Sequence, residues 1–169
     1  MSTNAMEASR TRSLAGPVAL VFTLALLDQI VKHVFEALLP LQTVVPVFGP
    51  LNWFLTYNEG VAFSMLAFMG SWGLVVLTGL ILCLVIYLWS RTPRAHRFAW
   101  FGFALVAGGA LGNLIDRALL GHVVDYVLLS AGGWSFAVFN LADSFITVGA
   151  VMVLVDEVFG WGRRRAEPS

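Results

Sequence analysis

The chain has 169 residues, of which 59% are hydrophobic and 12% are charged, and its formal net charge is zero. An ordinary soluble domain has about 25% charged residues. This composition therefore excludes an ordinary soluble domain and indicates a membrane protein. The length fits one domain. The basic residues form no stripe interleaved with aromatic side chains, so a nucleic-acid partner is not expected.

Four apolar segments approach the ~20 residues that a helix needs to cross ~30 Å of hydrocarbon. They cover about residues 14–39, 70–89, 98–116 and 139–161, which predicts a single integral membrane domain over residues 1–169. The first segment continues through Asp28 and Lys32 without a small-residue cleavage site, which indicates an uncleaved span. Cys83, the single cysteine, excludes an internal disulfide and is predicted to be a small buried hydrophobic residue.

The basic residues predict how the chain is oriented in the membrane. Eight of the ten Lys and Arg residues lie at the N-terminus, between the second and third spans, or at the C-terminus: Arg10, Arg12, Arg91, Arg94, Arg97, Arg163, Arg164 and Arg165. With four spans these places share one side, which the positive-inside rule makes cytoplasmic. Both termini are therefore predicted to be cytoplasmic, and the connections at residues 41–69 and 117–138 lie outside.

Both outer segments are long and contain runs of strand-forming residues at 52–57, 123–129 and 134–138. We expect these runs to pair into a small sheet on the outer membrane surface. Trp53, Tyr57, Tyr126 and Trp134 suit the interfacial aromatic belt. A simple helix bundle would need only short turns here, so the outer side is where we expect the activity.

Charged residues lie within or beside the first and third spans. Asp28 and Lys32 are one helical turn apart and can form an ion pair, which is either purely structural or supports the outer loop and active site. Asn113, Asp116 and Arg117 share one face at the end of the third span. Arg117 departs from the positive-inside bias, so we expect it to anchor the structure through a fixed partner, either Asp116 or an outer-loop carbonyl.

Small residues and a turn complete the pattern. Ala104, Gly108 and Gly112 recur at four-residue spacing in the third span, which predicts close packing of another helix. Before the second span, Asn58 and Gly60 suit an irregular turn, and Phe63 can line an apolar groove.

Two aspartates stand out at the edge of the predicted membrane region. Asp143 follows Asn140 by three residues at the start of the fourth span, a spacing typical of a capping box. Asp125 lies in a strand-like segment that has no helix end to cap. Because carboxylates beside hydrocarbon are costly, two of them on one side of the bilayer predict a pair that shares a proton and activates water. That pairing is the chemistry of an aspartic protease.

Five motifs, in order along the chain, resemble those of the lipoprotein signal peptidase family (signal peptidase II). They are Asp28-Gln29-x-x-Lys32, Tyr57-Asn58-x-Gly60-x-Ala62-Phe63-Ser64, Gly108-Gly109-Ala110-x-Gly112-Asn113-Leu114-x-Asp116-Arg117, Gly121-His122-Val123-Val124-Asp125 and Phe139-Asn140-Leu141-Ala142-Asp143-Ser144. The resemblance implies an all-α polytopic membrane fold with four transmembrane helices, a small outer-face β-cradle and a mobile periplasmic loop. It also implies a bacterial inner-membrane aspartic endopeptidase that cuts the signal peptide of a prolipoprotein just before its diacylglyceryl-modified cysteine.

By this resemblance, Asp125 and Asp143 are the catalytic dyad. The residues that would bind substrate or support the site are Asn58, Gly60, Phe63, Asn113, Arg117, Asn140, Asp28 and Lys32. The implied partners are diacylated prolipoproteins, membrane lipid and cyclic peptide antibiotics such as globomycin. No metal or organic cofactor is expected, and the protein is expected to be a monomer.

Two other functions remain open from the residues alone. A small four-span transporter would use an intramembrane acid to bind protons and a cation, although such an acid should lie mid-span between short loops. A non-catalytic assembly subunit would associate through the stripe of Ala104, Gly108 and Gly112.

Overall fold

The computed structural model describes residues 15–60 and 70–160, and within them the chain forms four helices and four strands. In chain order these are α1 (Ala15–Leu38), β1 (Val45–Phe48), β2 (Leu51–Asn58), α2 (Gly70–Arg91), α3 (Arg97–Leu120), β3 (Val123–Ala131), β4 (Trp134–Ser135) and α4 (Leu141–Phe159). The four predicted spans agree with the four helices to within a few residues. The exception is the end of the third, because α3 continues through Leu120 and therefore includes Arg117.

Three of the helices are long and apolar enough to cross a membrane: Ala15–Leu38, Trp72–Arg91 and Arg97–Leu120. The fourth, α4, has only 19 residues and carries Asp143, Asp156 and Glu157. Large apolar side chains such as Phe22 and Leu80 are exposed on α1 and α2. An apolar surface of this extent is typical of a protein that contacts lipid.

Helix α3 lies at the centre of the bundle and packs against the other three helices. Its small residues explain this position. A Cβ on Gly108 would lie 2.7 Å from the Cβ of Leu24 on α1, so the two helices approach as closely as their backbones allow. On another face, a Cβ on Gly102 would lie 2.7 Å from the carbonyl oxygen of Gly149 in α4. The prediction of close packing along the small-residue stripe is confirmed.

The strands form one antiparallel sheet in the order β1-β2-β3-β4, which confirms the predicted small sheet. Gly121 ends α3 in the left-handed conformation, with φ of 80°, and turns the chain directly into β3. In the β2–β3 ladder Thr56 is opposite Asp125, and Asn58 is opposite Val123. The end of β2 therefore lies beside the start of β3, at the end of the helix bundle where α4 begins.

The sheet packs on α1 through a small apolar core of Leu55, Val124 and Tyr126, with Phe35 against it. The ring of Tyr126 stacks on that of Phe35 at 4.1 Å between centroids, and only 3% of Tyr126 is exposed. Its predicted place in the interfacial aromatic belt was therefore wrong, because this ring fills the core between sheet and helix. The predicted burial of Cys83 was also wrong, since it lies on an exposed face of α2.

Candidate active site

Asp125 lies near the start of β3, where four consecutive residues are buried. Its carboxylate is 2% exposed, and each oxygen accepts one hydrogen bond from an asparagine amide. The side-chain Nδ2 of Asn58 donates to one oxygen at 3.0 Å, and Nδ2 of Asn140 donates to the other at 2.7 Å. Strand pairing brings Asn58 to this position, and the start of α4 brings Asn140.

Asp143 lies in the first turn of α4 and is half-buried. The predicted capping box is confirmed, because Asn140 Oδ1 accepts from the Asp143 backbone N–H at 3.0 Å and Asp143 Oδ2 accepts from the Asn140 N–H at 3.2 Å. The other oxygen, Oδ1, accepts a hydrogen bond of 2.8 Å from Nδ2 of Asn113 on α3. Both oxygens of Asp143 are thus held by N–H donors, as are both oxygens of Asp125.

The structure brings the two aspartates together through a pair of asparagines. Asn140, which is completely buried, bonds Asp125 through its side chain and Asp143 through its backbone. Its Nδ2 also lies 3.2 Å from Oδ1 of Asn113, whose own Nδ2 donates to Asp143. Side chains from α3, β3 and the start of α4 therefore converge on one polar cluster.

Asp125 keeps its proton to a higher pH than an ordinary aspartic acid does. Burial, the largest cause, and the negative charge of Asp143 together raise the pKa of Asp125 to about 6, against the opposing hydrogen bonds from Asn58 and Asn140. The negative charge of Asp143 thus opposes the ionisation of Asp125, as expected of neighbouring carboxylates.

A second polar cluster lies directly behind the aspartates. Lys32 Nζ is 2.7 Å from Oδ2 of Asp28, 2.7 Å from Oδ2 of Asp116 and 3.0 Å from Oδ1 of Asn113. All three charged side chains are essentially excluded from solvent. The predicted Asp28–Lys32 ion pair is confirmed, and the contact with Asn113 joins it to the aspartate cluster.

This second cluster also connects the helices to the sheet. Asp116 Oδ2 accepts from the backbone N–H of Val124, the residue before Asp125, at 3.2 Å. Asp28 Oδ1 accepts from the N–H of Ala142, the residue before Asp143, at 2.9 Å. Each member of the predicted dyad is therefore preceded by a backbone amide that a buried carboxylate holds in place.

Arg117 does not pair with Asp116 as the sequence predicted. Asp116 pairs with Lys32 instead, and no carboxylate of the described residues lies within ion-pair distance of Arg117. Its guanidinium donates a long hydrogen bond of 3.4 Å to the Asn113 carbonyl of its own helix. The alternative partner, an outer-loop carbonyl, stays a prediction, because residues 61–69 of the outer segment lie outside the described residues. Its charge nevertheless acts on Asp143 and Asp125, and its buried Nε has no hydrogen-bond acceptor among the described residues.

The turn after β2 contributes one further contact. The backbone N–H of Gly60 donates to Oδ1 of Asn58 at 2.9 Å, which orients the amide so that its Nδ2 faces Asp125. Gly60 has φ of 96°, a conformation that a side chain would strain. Phe63, also predicted to support the site, lies outside the described residues.

The sequence reading gave no role to Gln29. Its Nε2 donates to Asp116 Oδ1 at 2.6 Å and to the Gly112 carbonyl at 3.2 Å. The available signal was its position in Asp28-Gln29-x-x-Lys32, because a residue three before Lys32 lies on the same helix face.

Comparison with known proteins identifies the family. The family described as Signal peptidase (SPase) II matches residues 20–159. A lipoprotein signal peptidase of Mesorhizobium japonicum is 53% identical over 154 residues, which are 90% of each chain. One of Sinorhizobium fredii is 49% identical over 151 residues, covering 89% of this chain and 91% of the relative.

Two solved structures have a similar fold. One bacterial membrane enzyme superposes with a TM-score of 0.70 at 23% identity, over 92% of this chain and 95% of that one, which shows a common fold. A second also has a TM-score of 0.70, at 26% identity over 86% of this chain and 94% of that one. The protein is therefore a bacterial membrane protein, and it belongs to the signal peptidase II family of peptidases.

Proposed function

We propose that the protein is an intramembrane aspartic endopeptidase, with Asp125 and Asp143 as its catalytic pair. Its substrates are prolipoproteins whose cysteine carries a diacylglyceryl group, and it cuts the signal peptide just before that cysteine. The observation that carries this proposal is the convergence of two carboxylates on Asn140 and Asn113, with every carboxylate oxygen held by an N–H donor.

The mechanism needs one of these acids to be protonated and the other ionised. Two neighbouring carboxylates cannot both ionise cheaply. The pKa of Asp125 is raised to about 6, so Asp125 keeps its proton to a higher pH than an ordinary aspartic acid does. The ionised member removes a proton from a water molecule as that water attacks the scissile carbonyl. The protonated member donates a hydrogen bond to the carbonyl oxygen and stabilises the developing negative charge.

The neighbouring side chains hold this pair in position. Asn58 and Asn140 fix the plane of the Asp125 carboxylate, and Asn113 with the Asn140 backbone fixes that of Asp143. The positive charge of Arg117 favours the ionised state of whichever acid is the base. Because Asp143 is half-buried and Asp125 is nearly closed off, substrate would approach from the side of Asp143.

The position of the pair in the fold suits a lipid-anchored substrate. The acids lie where the apolar helices meet the sheet, so a precursor held by two acyl chains can reach them laterally from the membrane. We place the protein in the bacterial inner membrane as a monomer, with α4 as the fourth span, both termini in the cytoplasm and the aspartates near the periplasmic face. Cyclic peptide antibiotics such as globomycin would occupy the cleft as inhibitors.

Cleavage of a diacylated precursor peptide by the purified protein tests the proposal. Asp125→Asn and Asp143→Asn should each abolish cleavage while the protein still inserts and folds, and globomycin should inhibit the unchanged protein. Asp156→Asn is a matched control, because Asp156 is equally buried but pairs with His96 at the opposite end of the bundle. It should retain cleavage when activity is normalised to folded protein.

Undiminished cleavage by either dyad variant would refute the catalytic assignment. If the unchanged protein cleaves no lipidated precursor but drives proton-coupled uptake in vesicles, the transporter alternative replaces the protease.

A further inference from the structure

A groove between α1 and α2 opens at the end of the bundle remote from the aspartates. Both helices pack on α3 but make few contacts with each other, so α3 forms the floor of the groove. The cavity measures about 570 Å³, within the range of about 300–1,000 Å³ of small-molecule sites. Trp100 at one end of the groove lies about 20 Å of helix rise from Asn113 at the aspartates, whereas Leu111, which also lines the groove, is two residues from Asn113. The end of the groove beside Trp100 is therefore remote from the candidate active site, and its other end approaches the helix turn that carries Asn113.

The lining is apolar along the groove and polar at one end. Val18 and Phe22 of α1 and Ile86 of α2 form its walls, and all three residues are exposed to whatever fills the groove. Ser90, Thr92 and Arg94 lie at its mouth. This gradient matches an amphiphile with an extended apolar chain and a polar head.

Two observations at the mouth indicate the charge of that head. The indole of Trp89 lines the groove and is 9% exposed, yet its Nε1 has no acceptor among the described residues. A buried N–H without an acceptor is costly, so a ligand oxygen would be stabilised there. Beside it, the Arg94 guanidinium carbon lies 5.2 Å from the centroid of the Trp100 ring, and this cation–π contact holds a positive charge at the mouth.

We propose that this groove binds one anionic phospholipid, with an acyl chain between α1 and α2 and its phosphate at Arg94 and the Trp89 N–H. Arg91 and Arg97 flank the same end of the bundle but do not line the groove. The same charges disfavour the other amphiphile available to a signal peptidase, since the end of a signal peptide that precedes its apolar region is basic.

Native mass spectrometry of the purified protein tests the site with defined lipids. Titration with phosphatidylglycerol should show one tightly retained lipid, bound about five-fold more strongly than phosphatidylcholine. Arg94→Gln and Trp89→Phe should each reduce this preference, and Val18→Trp should fill the groove and remove the retained lipid. Inorganic phosphate should not displace the lipid, because it lacks the acyl chain that occupies the groove.

Two matched controls separate a built site from general attraction. Arg91→Gln removes an equally exposed arginine that does not line the groove, and Val34→Trp adds the same bulk to α1 outside the groove. Both should bind phosphatidylglycerol as the unchanged protein does.

Equal retention of phosphatidylglycerol and phosphatidylcholine would overturn the proposal. So would an equal loss in Arg91→Gln and Arg94→Gln, which would indicate diffuse surface charge. Two results together would make the groove part of the substrate path instead. They are displacement of the lipid by a signal-peptide segment and loss of precursor cleavage in Val18→Trp. A lipid-binding result leaves the proposed peptidase function untouched, since neither the binding assay nor its controls depend on cleavage.

Discussion

Replacement of Lys32 by methionine tests whether the second polar cluster is chiefly structural. In the native protein its ammonium group contacts three acceptors, the carboxylates of Asp28 and Asp116 and the amide oxygen of Asn113, and almost no solvent reaches it. Methionine matches the lysine side chain as far as Cε but lacks the ammonium group, so it leaves two carboxylates buried side by side without a counter-charge. Removing one partner of a buried ion pair costs about 3–5 kcal/mol, which for a chain of this size lowers the melting temperature by about 6–20 °C.

Thermal unfolding of the purified protein in detergent measures this loss, and cleavage per folded molecule is measured in parallel. The triple variant Asp28→Asn/Lys32→Met/Asp116→Asn has no unpaired charge in the cluster and should recover part of the lost stability. Arg91→Met is the matched control, because Arg91 is exposed and its removal should change stability by less than about 0.5 kcal/mol. A Lys32→Met protein that melts like the unchanged one would refute this reasoning. If that stable variant also failed to cleave, Lys32 would belong to the catalytic machinery.

Three more outcomes are expected. Gly112→Ala should lower the melting temperature, because its Cβ would lie 2.5 Å from a carboxylate oxygen on α1, whereas Gly79→Ala, with nothing within 4 Å, should not. Gly60→Ala should reduce cleavage and stability more than Gly133→Ala does: both positions have positive φ, but only at Gly60 would the methyl group collide with a neighbouring side chain. A pH series should show stability falling as pH rises from about 4 to about 6, because the raised pKa of Asp125 means that the folded state keeps a proton that the unfolded state releases. The difference between the unchanged protein and Asp125→Asn should amount to about 3 kcal/mol over that interval, and identical pH profiles for the two would contradict the raised pKa.

The helices and the sheet could be predicted because their signals are local. Four apolar runs of spanning length gave the helices to within a few residues, since little else satisfies backbone groups in hydrocarbon. The strand-forming runs around Thr56 and Val127 gave the two long strands of the sheet. The capping box of Asn140 and Asp143 was also readable, because both partners lie within one helical turn.

The predictions that were wrong concern residues whose contacts are made by segments distant in sequence. Tyr126 looked like an interfacial aromatic, but its depth is set by Phe35 on another element. Arg117 and Asp116 are neighbours in sequence, yet Asp116 forms its ion pair with Lys32 of α1. Spacing within one helix shows which residues share a face, and it carries no information about which opposing helix supplies the partner.

Asn140 shows that one residue can have a structural role and also position the proposed catalytic residues. Its Oδ1 caps α4, which is worth about 1 kcal/mol and would suffice to explain an asparagine at this position. Its Nδ2, however, donates to Asp125 on β3, and a helix cap makes no use of that group. Because the side chain is planar, fixing one end on the helix fixes where the other end points. The cap thereby sets the position of Asp125 relative to Asp143, because the backbone N–H of Asn140 holds Asp143. The stability of the α4 terminus and the geometry of the two acids therefore depend on the same residue.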